Sequence, residues 1–518
     1  VHPLAIDGKN IDQWLERYCG QQGIRLSGQQ AVAVRSIASS RFSVLTGGPG
    51  CGKTTTTLVI VRLLEYLGKK VLLAAPTGRA AQRMSEVIGR EAKTLHRLLE
   101  WQNGTFQKNQ EQPLAADVLI VDECSMLDIS LTASLLKAVP PGCQVLFIGD
   151  ADQLPAVGAG NVLRDIISSG VVAVFSLTEV FRQAQDSKII EYAHQLNRGI
   201  TPHIESPFKK PKLWQEKVDC LFIDSDEATK EQLDFVRRVK RLSVLQAPGQ
   251  LEGLTTAENL YEFRTGEMIH SSYEQDFVIP KKFQHVDLQK VKGADGYVEE
   301  LMAVLAKVHP WSTLHYGLTA VDAVVRLYLQ WIPKYYGKEE IQILTPMTRG
   351  SLGTANLNRT IQEAANPPAP GKAQLQVGER IFRTGDRVIH RRNNYELNVF
   401  NGDIGRISDI DNVGLNCVVE FFPDGRRVNY QKDDILELDL AYAITIHKSQ
   451  GSEFGAVIIP VLTQHFKMLF RNLIYTGLTR ARRLAVVVGT RKALAMAVHR
   501  QDTSKRQTAL QMLLSNSE

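Results

Sequence analysis

Cysteine is scarce in this chain, and none of it is paired by spacing. The six cysteines among 518 residues (Cys19, Cys51, Cys124, Cys143, Cys220, Cys417) form no C-x-x-C pair. That argues against a zinc site or a disulfide framework and suits a reducing cytoplasm, the expected location. No apolar run reaches the length of a membrane span, and the N-terminus carries no signal-peptide pattern. Neither internal repeats nor low-complexity tracts stand out. Charge of one sign is not in large excess: the net charge is +6 and the pI near 8.8, which permits a nucleic-acid partner without demanding one. An initial Met is also missing, so further domains upstream of Val1 are an expectation. What is present is ordinary for a globular protein, with 44% hydrophobic and 22% charged residues, and 518 residues imply two to four domains.

The most informative stretch is Gly47-Gly48-Pro49-Gly50-Cys51-Gly52-Lys53-Thr54, which fits the phosphate-loop pattern G-x-x-x-x-G-K-[ST]. It follows an apolar strand (Phe42 to Thr46) and precedes a helix (Thr55 to Leu67), as such a loop must. Triphosphate oxygens have to be met by several backbone N–H groups at once, and only a glycine-rich turn lets the backbone approach that closely. Lys53 is expected to reach the β- and γ-phosphates and the Thr54 hydroxyl to ligate Mg²⁺. Cys51 and Cys124 read as small packing residues.

Further strands are expected at Lys70–Ala75, Asp117–Asp122 and Gln144–Gly149, with helices between them, the rhythm of a parallel sheet covered on both faces. A second α/β block runs from Ile341–Thr345 to Leu484–Gly489 and contains a Gly- and Asp-punctuated stretch, about 401–438, that reads as a small inserted β-barrel. Residues 207–338 carry no clear motif, apart from a helical pattern over Ala320 to Trp331.

Val118-Leu119-Ile120-Val121-Asp122-Glu123 is an apolar strand ending in two acids. Asp122 is placed to hold Mg²⁺ and Glu123 to polarise the attacking water. In Gly149-Asp150-Ala151-Asp152-Gln153, Gln153 is placed to sense the γ-phosphate or position water. Arg182 (in Leu177 to Gln183) and Arg480 (in Tyr475 to Arg482) are candidates to stabilise charge spread over the γ-phosphoryl oxygens. Arg480 comes from the second block, so nucleotide-driven closure of a cleft is implied.

Taken in order, the phosphate loop, Ala75-Pro76-Thr77-Gly78-Arg79, Thr94-Leu95-His96-Arg97, Asp122-Glu123, Gly149–Gln153, Thr178–Gln183, Thr445–Glu453 and Tyr475–Arg482 resemble the motif set of superfamily-one helicases. Pro346–Gly353 and the stretch from Asn393-Asn394-Tyr395 to Phe400-Asn401-Gly402 resemble its RecD-like branch, the bacterial RecD and exodeoxyribonuclease V α-subunit family. The resemblance covers about 24–206 and 339–515.

It implies two RecA-like P-loop motor domains, parallel sheets with helices on both faces: 26–206 with a β-hairpin insertion at about 100–114, and 339–518 with an SH3-like insertion at about 401–438. Residues 1–25 then look like the remnant of an N-terminal region, and 207–338 a linker holding an unassigned insertion at about 233–320. The family's adenine-contacting glutamine falls on Gln30, beside Gln29. Thr55, Gly451 and Glu453 join the nucleotide set, and Pro76, Thr77, Thr94, His96, Thr445 and His447 are expected to face DNA. Trp101 or Phe106 of the hairpin either stacks on a base or pins the hairpin to its domain. The implied function is ATP- and Mg²⁺-dependent 5′-to-3′ translocation on single-stranded DNA with unwinding of 5′-tailed duplex, in repair or recombination, by a monomer without a membrane role. The alternative is a motor subunit of a larger recombination or nuclease complex that does not unwind alone. A small-molecule P-loop kinase explains the first motif only, and RNA as a track stays open.

Overall fold

The computed structural model describes residues 8–102, 104–181, 186–225, 312–316, 318–337, 340–394, 396–422, 424–501 and 508–516. Arg182, Tyr395 and most of the 233–320 insertion, with the basic run Arg237-Arg238-Val239-Lys240-Arg241, lie outside the described residues.

The first half folds around strands β1 (Phe42–Gly47), β2 (Val71–Ala75), β3 (Ala92–Thr94), a hairpin of β4 (Trp101–Gln102) and β5 (Thr105–Phe106), β6 (Val118–Val121), β7 (Gln144–Gly149) and β8 (Ala173–Leu177). Six of them form one parallel sheet in the order β3-β2-β6-β7-β1-β8. β6 and β7 are buried at every residue, which is why they read as continuous apolar runs rather than alternating ones. Alternate residues of β1 supply the two faces: Leu45 joins the cluster under the helices Gly8–Gln22, Gly28–Ser39 and Lys53–Tyr66, and Val44 the cluster on the opposite face.

A second parallel sheet gathers β9 (Cys220–Asp224) and β10 (Ile341–Thr345) with strands from much later in the chain. Between them come the hairpin β11 (Gln374–Val377) and β12 (Arg380–Arg383), then β13 (Arg387–His390), β14 (Ile404–Asp411), β15 (Asn416–Phe421), β16 (Arg427–Tyr430) and β17 (Leu438–Leu440). β13 to β17 make an antiparallel five-stranded sheet, the SH3-like insertion, with its own core around Phe382, Phe421 and Tyr430. This sheet opens at Arg387, ahead of the 401 at which sequence placed it. β18 (Ala443–Thr445), β19 (Phe454–Val461) and β20 (Ala481–Gly489) complete the second parallel sheet in the order β18-β10-β19-β20-β9. β9 comes from the stretch that carries no motif, yet all five of its residues are buried. Trp214 and the helical stretch from Ala320 to Tyr336 cover one face of this sheet. The helix Lys188–Asn197 covers the other, sharing a cluster with the helix Arg471–Leu478. Among the described residues, no helix is long and apolar enough to cross a membrane.

The insertion is fastened to the second sheet by a buried carboxylate. Asp386, fully buried, accepts hydrogen bonds from Gln362 Nε2, Asn366 Nδ2 (2.7 Å), the Arg383 backbone N–H (2.7 Å) and the Tyr442 hydroxyl (2.9 Å). A buried charge is tolerable only when its oxygens are so satisfied. Asp386→Ala strands these donors and is expected to destabilise the second half by roughly 3–5 kcal/mol, against about 1–3 kcal/mol for Tyr442→Phe, which removes one donor. Urea unfolding followed by the fluorescence of Trp214 and Trp331, both in that core, checks the ranking.

Candidate nucleotide site and nucleic-acid interface

β1 delivers the phosphate loop and the helix Lys53–Tyr66 takes over from it at once. Gly50 and Gly52 have φ of 74° and 76°, the left-handed region that favours glycine. A Cβ on Gly52 would stand 2.4 Å from Gln30 Nε2 and 2.7 Å from the Phe181 ring, so the loop's neighbours also require glycine there. Gly47 is similarly confined, 2.7 Å from the Leu177 carbonyl oxygen by the same measure. The Lys53 ammonium donates to the Gly47 and Gly48 carbonyls, at 3.1 Å for the second. Thr54 and Thr55 are exposed in the first helical turn, where N–H groups and the helix dipole favour anions. Thr56 and Thr57 are buried instead, their hydroxyls donating to the Gly52 and Lys53 carbonyls.

Pro49 is half-buried. Cys51 is buried and burial pushes its thiol up, as befits a packing residue; Cys124 behaves the same way. Gln30 is 1% exposed. It closes a capping box with Ser27 and donates from Nε2 to the Gly52 carbonyl at 3.2 Å. The half-buried neighbour Gln29 instead binds Thr178, accepting its backbone N–H and donating to its hydroxyl, both at 2.9 Å.

At the end of β6 the backbone turns sharply, with Glu123 at φ 52°. The Asp122 carboxylate accepts the Glu123 N–H at 2.7 Å. Burial first, then the Glu123 charge, push the Asp122 carboxyl up to about 6, against the pull of Lys53 and Arg83. A buried carboxylate followed at once by a second acid is a hard-oxygen donor set that suits a dication such as Mg²⁺.

The loop after β7 crosses to the second sheet. Asp150, 2% exposed, accepts the Tyr475 hydroxyl at 2.7 Å and Gln153 Nε2 at 3.3 Å. Burial and then Asp150 hold the Tyr475 phenol far above its ordinary value, so it stays a protonated donor. Leu154 packs into the second sheet's core. Its backbone N–H donates to the Thr476 hydroxyl (2.9 Å), and its carbonyl accepts Gln450 Nε2 (2.7 Å). Arg480 is 3% exposed, with Nη1 on the Ser452 carbonyl at 3.2 Å. Glu453 pairs across the seam with Arg83 at 2.6 Å. A Cβ on Gly451 would lie 2.8 Å from the Thr77 hydroxyl, and one on Gly78 2.7 Å from Phe400 Cβ.

The expected DNA-facing residues sit at the carboxyl ends of parallel strands, where α/β sheets bind ligands. Pro76 and Thr77 follow β2, whose last residue Ala75 is in register with Thr94 at the end of β3. Thr445 ends β18 opposite Thr345, and His447 is half-buried in the turn His447–Ser449. Thr94 itself is buried and its hydroxyl caps the next turn, accepting the Arg97 N–H at 3.2 Å. His96 packs on Trp101 and Phe106 with centroids 6.0 and 5.6 Å away, and those two rings are 4.5 Å apart. The rings therefore pin the hairpin while Trp101 stays 41% exposed. They border an open cavity of about 520 Å³ against the helix Ile129–Ala138, with Asp128 and Lys137 on its far side.

Sequence reasoning assigned no role to Asp150, Tyr475, Arg83 or His194. Tyr475 and Asp150 fall inside quoted motifs, which was the available signal; Arg83 and His194 carry none. For Asp122 the sign of the linkage is definite. Its carboxyl titrates near 6 folded and near 3.8 unfolded, so the folded state binds more protons between these values and stability falls as pH rises through them. Asp122→Asn is expected to stabilise the nucleotide-free protein at pH 8 by about 1–3 kcal/mol while abolishing ATP turnover, measured by urea unfolding and phosphate release.

Family comparisons agree with this arrangement. The model of an AAA domain matches residues 25–209, that of the ATP-dependent RecD-like DNA helicase SH3 domain 357–421, and that of the UvrD-like helicase C-terminal domain 440–488. The ATP-dependent RecD2 DNA helicase of Deinococcus radiodurans is 34% identical over 504 residues, 97% of this chain and 54% of that protein. The RecBCD enzyme subunit RecD of Haemophilus influenzae is 27% identical over 546 residues, 99% of this chain and 76% of that one. A Pif1 helicase from Bacteroides, solved with single-stranded DNA, aligns at 18% identity over 91% of this chain and 94% of its own, with a TM-score of 0.45 that carries no weight. The chain spans about half the length of the Deinococcus relative. With three family models in helicase order along two parallel-sheet cores and an SH3-like insertion, the chain resembles the RecD-like branch of the superfamily-one helicases.

Proposed function

We propose that this chain is an ATP-dependent DNA helicase that translocates 5′ to 3′ on single-stranded DNA. The observation that supports it most is the seam itself: the phosphate-loop core and the core bearing Arg480 meet through Asp150–Tyr475, Leu154–Thr476 and Gln450–Leu154. A nucleotide held at that seam can alter the fit of the two cores, and the strand-end residues of both cores then move relative to each other. Lys53 neutralises the β- and γ-phosphates, the loop N–H groups cradle them, and Glu123 orients and polarises the attacking water. Gln153 positions that water, while Arg480 and Arg182 meet the charge that develops on the γ-phosphoryl oxygens. Thr54 and Asp122 would hold Mg²⁺, which when bound offsets phosphate charge. Pro76, Thr77, His96, Thr445 and His447 grip the strand, and the hairpin bearing Trp101 meets the fork. The Haemophilus relative is named as a subunit of the RecBCD enzyme, which favours a second reading as a motor subunit; co-purified partners would distinguish it.

Lys53→Ala is expected to lower DNA-stimulated ATP turnover by at least about 100-fold with the melting temperature unchanged, and retained turnover would remove the site assignment. The wild-type chain is expected to unwind labelled duplex from a 5′ tail and not from a 3′ tail. Unwinding from the 3′ tail alone contradicts the proposed polarity, and stimulated ATPase without unwinding from either tail supports the subunit reading.

A further inference from the structure

We propose that His194 is a positioning residue of the nucleotide site, a donor from the second core that distinguishes triphosphate from diphosphate. The proposal rests on the ATP-binding reading above. The helix Lys188–Asn197 is anchored in the second core through Ile189, Tyr192, Ala193 and Leu196. His194 points from it to the first core: a Cβ on Gly48 would lie 3.2 Å from His194 Cε1 and 3.4 Å from the Tyr475 hydroxyl. Gly48 is also the residue whose carbonyl the Lys53 ammonium holds. An imidazole and a phenol, both carried by helices of the second core, thus press on the backbone of the phosphate loop beside its lysine.

His194 Nε2 is buried and has no hydrogen-bond partner. Buried polar atoms are nearly always paired, so each exception asks for an explanation. Ten other side-chain atoms among the described residues are in this condition, Gln153 Oε1 and Arg480 Nε among them, and those two residues are expected to meet the γ-phosphate on other grounds. His194 lies at the same seam, against Gly48 of the phosphate loop. Burial, and then the Arg198 guanidinium, hold its imidazole below the ordinary value, with Asp150 pulling the other way. The ring is therefore neutral at pH 7 and carries one N–H. With the proton on Nε2, that N–H donates to a γ-phosphate oxygen, which a diphosphate lacks. Formation of the bond draws the helix Lys188–Asn197, and with it the second core, onto the loop. Nothing in the reaction requires His194 to exchange a proton.

The test measures binding of a fluorescent non-hydrolysable ATP analogue and of fluorescent ADP, both with Mg²⁺, to wild type, His194→Ala, His194→Gln and Lys53→Ala, beside melting temperatures. A hydrogen bond to a charged group sets the scale. His194→Ala is expected to weaken the triphosphate analogue by about 10-fold or more and to leave ADP within about twofold. His194→Gln, which restores a donor near the Nε2 position, is expected to recover most of the loss. Equal weakening of both nucleotides without rescue by Gln, or unchanged analogue affinity, overturns the role. If wild type and Lys53→Ala fail alike to bind either nucleotide, the ATP-site reading itself falls, and this inference with it.

Discussion

The relation between the two halves depends on a carboxylate that its own domain does not fully satisfy. Asp150 stands at the carboxyl end of β7, almost wholly buried, and from its own loop accepts the Asp152 backbone N–H at 3.1 Å on one oxygen and Gln153 Nε2 at 3.3 Å on the other. The Tyr475 hydroxyl from the other core completes it at 2.7 Å. A buried carboxylate short of donors is costly, whereas a charge-assisted bond from a phenol that stays protonated is strong and directional. Around it the remaining contacts are also polar and specific: Thr476 and Gln450 bind the backbone on either side of Leu154. Leu154 is the one apolar member of the crossing loop that reaches the second core. Hydrogen bonds of this kind have alternative partners, including phosphate oxygens, which a fused hydrophobic core would not.

Close approach is the second constraint. Gly78 against Phe400 and Gly451 against Thr77 leave no room for a Cβ on either glycine. Backbone meets side chain directly at both places. Both lie beside the strand ends where DNA-facing residues were expected, so the helix Gly78–Ile88 joins the strand path to the seam. That helix is capped at one end by Thr77 and closed at the other by Gly89 at φ 68°.

Legibility followed burial and chemistry. β1, β2, β6, β7 and β10 were readable because strands buried on both faces leave apolar runs, and the phosphate loop because its backbone geometry demands glycine. β9 is as apolar and as buried, but it stands beside no motif and pairs with β20, hundreds of residues later. β13 was hidden for a different reason. Its buried Arg387 and His390 look like surface residues in sequence, and only the structure supplies Glu340 at 2.7 Å and Tyr430 at 3.0 Å as partners. At the site, residues inside motifs could be nominated by type. Asp150 and Tyr475 lie inside motifs and Arg83 and His194 outside them, but the significance of all four lies in what the fold places opposite them. The hairpin aromatics left two readings open in sequence; their mutual packing with His96 accounts for the pinning.

The Arg83–Glu453 pair is unlike the rest of the seam, with the two side chains 44% and 30% exposed. Ion pairs open to water contribute little at physiological ionic strength, and counterions weaken them further over a screening length of about 8 Å. The buried bonds at Asp150 are shielded from that effect. Added salt therefore loosens one edge of the joint while leaving the other intact. The two edges of the joint thus differ in kind: the buried bond between Asp150 and Tyr475 holds at ionic strengths that screen the exposed pair.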